Sequence, residues 1–481
     1  MYIKSLYIKD YNLLHDFSID FNKNLSILIG ENGSGKSSII ECLAYIFGHL
    51  HKYFVIGDKT AEFIDSYRIN YEINGTDIFI ESKYVYSKTN TFQPIIKINN
   101  EELSISQINK RYGDFSIFLP DKIILSYSGI TEHLKELNNH FENKFIQQII
   151  RQNNPYSLRP LKLPKDNPFM YVKKEYVSFV LLALFTLNNE EARSIIETIG
   201  LDREGCITTI SLKKPHWARN DKDSSNNSLW GISGRIALDF LEGLGTVGIP
   251  KEDLVNEAND LKSIDYEFYG SPMIQDLFRT YFNLSSDQIV PFLDTLLCDD
   301  LLGSVNITWE IQEEKFSIDR LSEGEKQLIL SVGLGLVLNK KNLLFLLDEP
   351  DVSLHPKWQQ SFISDIEKGL DRESMAIITT HSPILVSNLQ KSDVQIINKG
   401  RLLPIDNHYS YGRDINSILE DYFEVDERNE NGKKLINDFY EAMTSKKYDV
   451  AENLLDMIEK SFGPSDITTI KANSIFDDLA E

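Results

Sequence analysis

The chain has 481 residues, 42% of them apolar and 11% aromatic, enough for large buried cores in about two to four structural units. Its 50 basic and 72 acidic residues leave a net charge of −22. That excludes diffuse, whole-surface binding to nucleic acid but leaves room for a local basic groove, for docking of a basic partner, or for solubility alone. No segment reads as long enough to span a bilayer, the first residues lack a signal-peptide pattern, and Cys42, Cys206 and Cys298 lie too far apart for a disulfide framework or zinc hook. The expectation is a soluble, cytoplasmic protein without membrane contact.

Residues 1–30 read as three strands, marked by Ile3, Leu6 and Ile8, by Phe17–Phe21 and by the apolar run Leu25–Ile29. Tyr67–Ile73 and Ile78–Tyr86 alternate on either side of Asn74-Gly75, a strong hairpin signal. Ile95–Ile98 continues the antiparallel pattern, and Ile123–Tyr127 reads as a return strand. From about residue 130 to 300 the texture is helical, with helix-like spacing in Arg193–Ile199 and Ile236–Leu244 and no sustained heptads. Lys213–Asn227 is a polar loop. Lys213, Lys214, Trp217 and Arg219 offer a contact for DNA or a partner there, although Asp221 and Asp223 offset the charge and suit a solvated loop equally.

Residues 304–400 alternate strand and helix, with Val305–Ile311, Leu343–Leu347 and Met375–Thr379 as strands and Gln327–Leu338 and Trp358–Leu370 as helices. This alternation implies a parallel sheet. Lys434–Met443 and Val450–Phe462 form a helix pair near the end, and the acidic tail Phe476–Glu481 reads as a fraying end.

Four motifs punctuate this order. Gly30–Ser37 (GENGSGKS) lies between the strand Leu25–Ile29 and the apolar helix Ile39–Ile46. Glycines there let backbone N–H groups turn around phosphate oxygens, Lys36 adds a point charge for the β- and γ-phosphates, and Ser37 offers a hydroxyl to Mg²⁺. The helix that follows aims its positive end at the same anion. Leu343–Leu347 ends in Asp348 and Glu349. Asp348 is placed to hold Mg²⁺, and Glu349 is the candidate general base for an attacking water. His381 follows another apolar strand and could bond the γ-phosphate and that water. Leu321–Gln327 (LSEGEKQ) opens a helix whose donors, Ser322 and the Gly324 amide, suit phosphate on a second subunit. Ser322 with Glu325 also spells a capping box, and the two readings do not exclude each other.

The set resembles the ABC-type ATPase fold of chromosome-structure and break-repair ATPases, the overcoming-lysogenization-defect nucleases and related bacterial defence ATPases. Gly30–Ser37 matches the Walker A loop, Leu321–Gln327 the signature, Asp348 and Glu349 the Walker B pair, and His381 the switch histidine. The resemblance covers roughly residues 1–130 and 304–400. It implies an α/β ATPase head, a mixed sheet plus an antiparallel β lobe, with a large helical insertion and a short helical C-terminal region. The corresponding segments are 1–130 (Walker A lobe), 131–303 (insertion), 304–404 (signature, Walker B and switch histidine) and 405–481 (C-terminal, candidate partner-docking). It implies a head-to-tail homodimer or higher homo-oligomer with ATP and Mg²⁺ between Walker A of one subunit and signature of the other. The implied nucleotide contacts are Asn12, Gly30, Glu31, Asn32, Gly33, Ser34, Gly35, Lys36, Ser37, Ser38, Ser322, Gly324 and Glu325. Ser37 and Asp348 would be metal ligands, and Glu349 and His381 catalytic. Asn12 rests on family analogy alone.

The chain departs from the transporter pattern at Glu323 and Glu325 in the signature and at His355 after Walker B. No Q-loop glutamine is evident, Ser126–Gly129 standing in its place. Tyr411–Leu419 and the short helix pair resemble the PtuA-like ATPases of Septu and retron-associated anti-phage systems. That narrower resemblance implies an HNH endonuclease (PtuB-like) partner, DNA reached through the complex, and no nuclease within this chain. A nucleotide sensor with little turnover and a DNA-repair ATPase are the competing readings.

Overall fold

The structure, a computed structural model, describes residues 1–58, 66–85, 91–127, 132–151, 167–215, 230, 235–251, 262–298, 300–338, 340–390, 393–404, 410–423 and 428–480. In chain order the strands are β1 (Tyr2–Tyr11), β2 (Leu14–Asp20), β3 (Leu25–Ile29), β4 (Tyr67–Ile73), β5 (Thr76–Val85), β6 (Thr91–Ile98), β7 (Glu101–Glu102), β8 (Lys122–Ser126) and β9 (Phe169–Tyr171). They continue as β10 (Ile207–Lys213), β11 (Ile249–Pro250), β12 (Ser263–Tyr269), β13 (Leu302–Ile311), β14 (Glu314–Ser317), β15 (Leu343–Asp348), β16 (Met375–Thr380), β17 (Val394–Asn398) and β18 (Arg401–Leu403).

Among the described residues these strands make three sheets. The central one runs β18-β17-β3-β16-β15-β8-β9 and is parallel throughout except for the antiparallel β17–β18 pair. Its inner strands β3, β15 and β16 are buried along their whole length, as strands covered on both faces must be. The second sheet, β2-β1-β4-β5-β6-β7, is an antiparallel lobe whose Asn74-Gly75 turn joins β4 to β5. This is an α/β architecture, a mixed central sheet plus an antiparallel lobe.

Helix α1 (Lys36–His51) is the wedge between those two sheets. All its residues but Ser37 and Ser38 are buried, which its sequence anticipates by being apolar on every side. Phe47 stacks edge-on against Tyr71 of β4 at 5.4 Å, and one continuous apolar cluster joins α1 to Ile123 of β8, Leu344 of β15 and Ile377 of β16. With its π-helical extension the segment Lys36–Ile56 is long and apolar enough to cross a bilayer, which corrects the expectation that no segment is. It is instead a core helix, 78% of its apolar window lying inside the protein.

The insertion is less helical than its sequence suggests. β10, β11 and β12 pair with β13 and β14 in a third, five-stranded antiparallel sheet, and β9 joins the central sheet beside β8. Val305–Ile311 is a strand as expected, but it belongs to this third sheet rather than the parallel one. The fully buried helix α2 (Tyr176–Phe185) packs on helix α3 (Ser286–Cys298) and on the helical run that starts with α4 (Glu323–Leu328). That run passes through a π-helical turn, Ile329–Gly333, into α5 (Leu334–Val337), so it is not the uniform α-helix expected over 327–338. A side chain at Gly333 would stand 3.1 Å from Val180 Cγ1, so glycine lets α2 approach the run closely. Lys213 ends β10 in an ion pair with Asp300, and most of the polar loop after it, Trp217 and Arg219 included, lies outside the described residues. Helix α6 (Pro356–Gly369) links β15 to β16.

Arg413–Glu481 is a second compact unit. Helices α7 (Glu430–Thr444), α8 (Tyr448–Phe462) and α9 (Ile467–Ala480) share a core of Phe439, Met443, Ala451, Leu455, Ile458 and Ala472. Arg428 ties it together, bonding Asp466 at 2.6 Å and lying over the Phe462 ring. The tail expected to fray continues as helix to Ala480.

Truncation of Phe47 empties space between two sheets at once. Phe47→Ala is expected to cost about 3–5 kcal/mol of stability, read as a shifted urea midpoint at unchanged slope.

Candidate nucleotide site

Parallel strands deliver their last residues to one edge of a sheet, and here that edge gathers the motif residues. β3 runs into the loop Gly30–Gly35, β15 ends at Asp348, and β16 ends at Thr380, just before His381. The loop is pinned from two sides. Gly30 has φ 150° and passes so close to β17 that an added Cβ would lie 2.0 Å from the Ile397 carbonyl. Gly400, between β17 and β18, has φ 72° and donates its N–H to the Ser34 carbonyl at 2.7 Å. Its own Cβ position is taken by the Leu13 carbonyl of the β1–β2 turn. Gly400 was missed from sequence because no motif surrounds it.

Glu31, Asn32 and Gly33 are exposed on the rim, Ser37 and Ser38 are half-buried, and Gly35 and Lys36 are buried. The Lys36 ammonium folds back to donate to the Gly30 and Glu31 carbonyls, both at 3.0 Å. Burial pushes its pKa down to about 8, against the opposing pull of Glu349 and Asp348. The Ser34 hydroxyl is buried and has no hydrogen-bond partner.

Asp348 is the junction. Its Oδ1 accepts from Ser37 Oγ at 2.9 Å and from Thr379 Oγ1 at 2.7 Å. Thr379 Oγ1 in turn accepts from the Glu349 N–H at 2.9 Å. Glu349 has φ 49°, a left-handed conformation that costs a non-glycine residue energy and is held here by its neighbours. His381 Nε2 approaches Glu349 Oε1 to 3.2 Å, at an angle that makes no hydrogen bond, so this buried nitrogen is left unsatisfied. Burial, then the Lys36 charge, lowers the His381 pKa, while Glu349 and Asp348 pull the other way.

The donor set fits a magnesium nucleotide. Ser37 Oγ and Asp348 present hard oxygens side by side, the chemistry Mg²⁺ prefers. Lys36, the unsatisfied Ser34 hydroxyl and the unsatisfied His381 nitrogen suit an anion beside it.

A further set of hydrogen bonds braces this edge. Asp351 Oδ2 accepts from Thr380 Oγ1 at 2.7 Å, while its Oδ1 is buried without a partner. Gln359 donates to the Asp351 carbonyl at 3.0 Å and accepts from Ser382 Oγ at 2.8 Å. The Asn12 amide donates to Glu41 of α1 at 3.4 Å. The signature residues stand apart from this cluster. Ser322 caps α4 in the expected box with Glu325, and among the described residues no hydrogen bond joins either to Gly30–Ser38. Gly324 abuts Ser353, whose carbonyl would lie 2.5 Å from an added Cβ. Of the section expected to hold a Q-loop, Ser126 and Tyr127 are described and the rest lies outside the described residues.

A family model described as AAA ATPase domain matches residues 1–386, and the chain belongs to that family. It is an ATPase, of the class that includes retron ATPases and RecF. It is 22% identical to the retron Ec83 probable ATPase of Escherichia coli, over 98% of this chain and 85% of that protein. It is 23% identical to the retron Vc95 probable ATPase of Vibrio cholerae, over 78% of this chain and 69% of that one. RecF of Clostridium acetobutylicum is 25% identical over 70% of this chain and 94% of its own length. Among solved structures, the SMC head domain of Thermotoga maritima superposes loosely, at a TM-score of 0.32 and 14% identity over 84% of this chain and all of that one.

Burial raises the Asp351 carboxyl to about 6. A carboxylate whose folded pKa exceeds its unfolded value weakens the fold as pH rises between the two, here from about 4 to about 6. Asp351→Asn should therefore gain stability relative to wild type at pH 7.5, by up to about 3 kcal/mol, and lose that advantage below pH 4. Thermal unfolding at both pH values checks this. An advantage independent of pH would contradict it.

Proposed function

We propose that the Gly30–Ser38 loop binds ATP and that Glu349 and His381 drive its hydrolysis in a regulatory subunit of an anti-phage defence complex. The observation that carries the reading is the left-handed, strained Glu349, held by Thr379 beside an unsatisfied His381 nitrogen. Lys36 gives up its two carbonyl partners to hold phosphate charge. Glu349 accepts a proton from the attacking water, because a carboxylate only accepts hydrogen bonds. His381 orients that water and the terminal phosphate. Mg²⁺, held by Ser37 and Asp348, would neutralise phosphate charge.

Ser322 and the Gly324 amide, exposed and buried respectively on a capped helix start, serve the nucleotide of a second copy in a head-to-tail dimer. Such a dimer would place ATP between this chain's loop and the partner copy's signature. The similarity to retron ATPases, which reaches 98% of the chain, supports the defence reading over a repair one. The PtuA-like pattern Tyr411–Leu419 extends it to an HNH endonuclease partner and to a cytoplasmic setting, with DNA met through the complex. The helices of residues 413–481 are the candidate docking region for that nuclease.

Co-purification with the neighbouring gene product, with plasmid cleavage scored with and without ATP, tests the proposal. Stable association and an ATP-dependent change in cleavage are expected. Glu349→Gln should keep ATP binding and lose at least about 100-fold in turnover. ATP-driven dimerisation with DNA-stimulated turnover by this chain alone, and no partner, would overturn the defence reading in favour of repair.

A further inference from the structure

We infer that Tyr127 and Glu41 are positioning residues that set the rotation of α1, and with it Lys36 and Ser37, against the catalytic strand edge; the inference rests on the site reading above. Glu41 is a carboxylate only 4% exposed in the middle of an apolar helix. Burying such a charge is costly unless several donors meet it. Three do, from three different elements. Tyr11, the last residue of β1, donates to Oε2 at 2.8 Å, the Asn12 amide of the β1–β2 turn lies 3.4 Å from the same oxygen, and Tyr127 donates to Oε1. Burial, then Glu41, raises both tyrosine pKa values, so both hydroxyls stay protonated donors.

The geometry assigns these bonds more than charge relief. Ser37 and Glu41 are four residues apart on α1 and therefore share a face. Ser37 bonds Asp348, the end of β15. Tyr127 follows the end of β8, and the β8–β15 register pairs Ser126 with Leu347, so Tyr127 stands beside Asp348 on the neighbouring strand. Two crossbars one helical turn apart thus join one face of α1 to the ends of two adjacent parallel strands. One crossbar alone permits α1 to pivot about it; two fix its rotation. Displacement of a phosphate-binding group by about 1 Å costs up to about 100-fold in rate. Tyr11 bonds the same carboxylate from the antiparallel lobe and contributes no bond to the strand edge that carries Asp348.

The test compares Tyr127→Phe, Glu41→Gln and Tyr11→Phe in the full chain, by steady-state ATP turnover well below each melting temperature. Tyr127→Phe and Glu41→Gln are expected to lower kcat roughly tenfold or more while KM for ATP stays within about twofold. Tyr11→Phe is expected to lower the melting temperature and keep kcat. A wild-type kcat in Tyr127→Phe would overturn the inference. So would losses of kcat in all three variants that simply track thermal stability, the mark of a buried carboxylate that only needs partners. Lys36→Ala run alongside separates the two levels: turnover retained there would overturn the site reading itself, and this inference with it.

Discussion

One carboxylate oxygen, Asp348 Oδ1, receives two hydroxyl protons, from Ser37 and from Thr379. That junction joins the helix after the Gly30–Gly35 loop to the two strands that end at Asp348 and Thr380. Take it away and Ser37 loses its partner and Thr379 the acceptor that orients its hydroxyl, which with the Thr379 carbonyl receives the Glu349 N–H. Hydroxyl and carboxylate oxygens side by side are the donors a hard divalent cation takes.

The junction depends on a packing fact. α1 has no solvent face beyond its first residues, so its position is dictated by the antiparallel lobe on one side and the central sheet on the other. A helix clamped in this way cannot drift along its axis, because core side chains interlock at crystal-like density. The rotation of its first turn is what the proposed crossbars would set. The polar bonds of Ser37 and Glu41 fall on that turn and the next. Apolar contact thus sets where the helix lies and hydrogen bonds set how it faces.

Much of this was legible in the residues. The glycine spacing of Gly30–Ser37 admits few conformations, and buried strands such as Leu343–Leu347 announce themselves by unbroken apolar runs. Supporting residues were not legible, because their partners are remote in sequence. Thr379 is one more β-branched residue until Asp348 is placed against it. Gly400 gains meaning only when Leu13 and Ser34 arrive. Glu41 did leave a signal, as a lone acid inside the apolar run Ile39–Ile46. The five-stranded sheet in the insertion left one too. β10 (ITTISLK) and β12 (SIDYEFY) both alternate, but β10 pairs with β13 about a hundred residues on, and local spacing says nothing of such pairings. The π turn at Ile329–Gly333 has no sequence signature, and it lies where α2 presses on Gly333.

The most direct test of the central claim is an experimental structure of Glu349→Gln bound to ATP and Mg²⁺. The triphosphate should lie in the Gly30–Ser38 loop, with Lys36 turned from the Gly30 and Glu31 carbonyls onto it and Mg²⁺ between Ser37 Oγ and Asp348. Nucleotide bound elsewhere, or a metal ion held without Ser37 and Asp348, would contradict it.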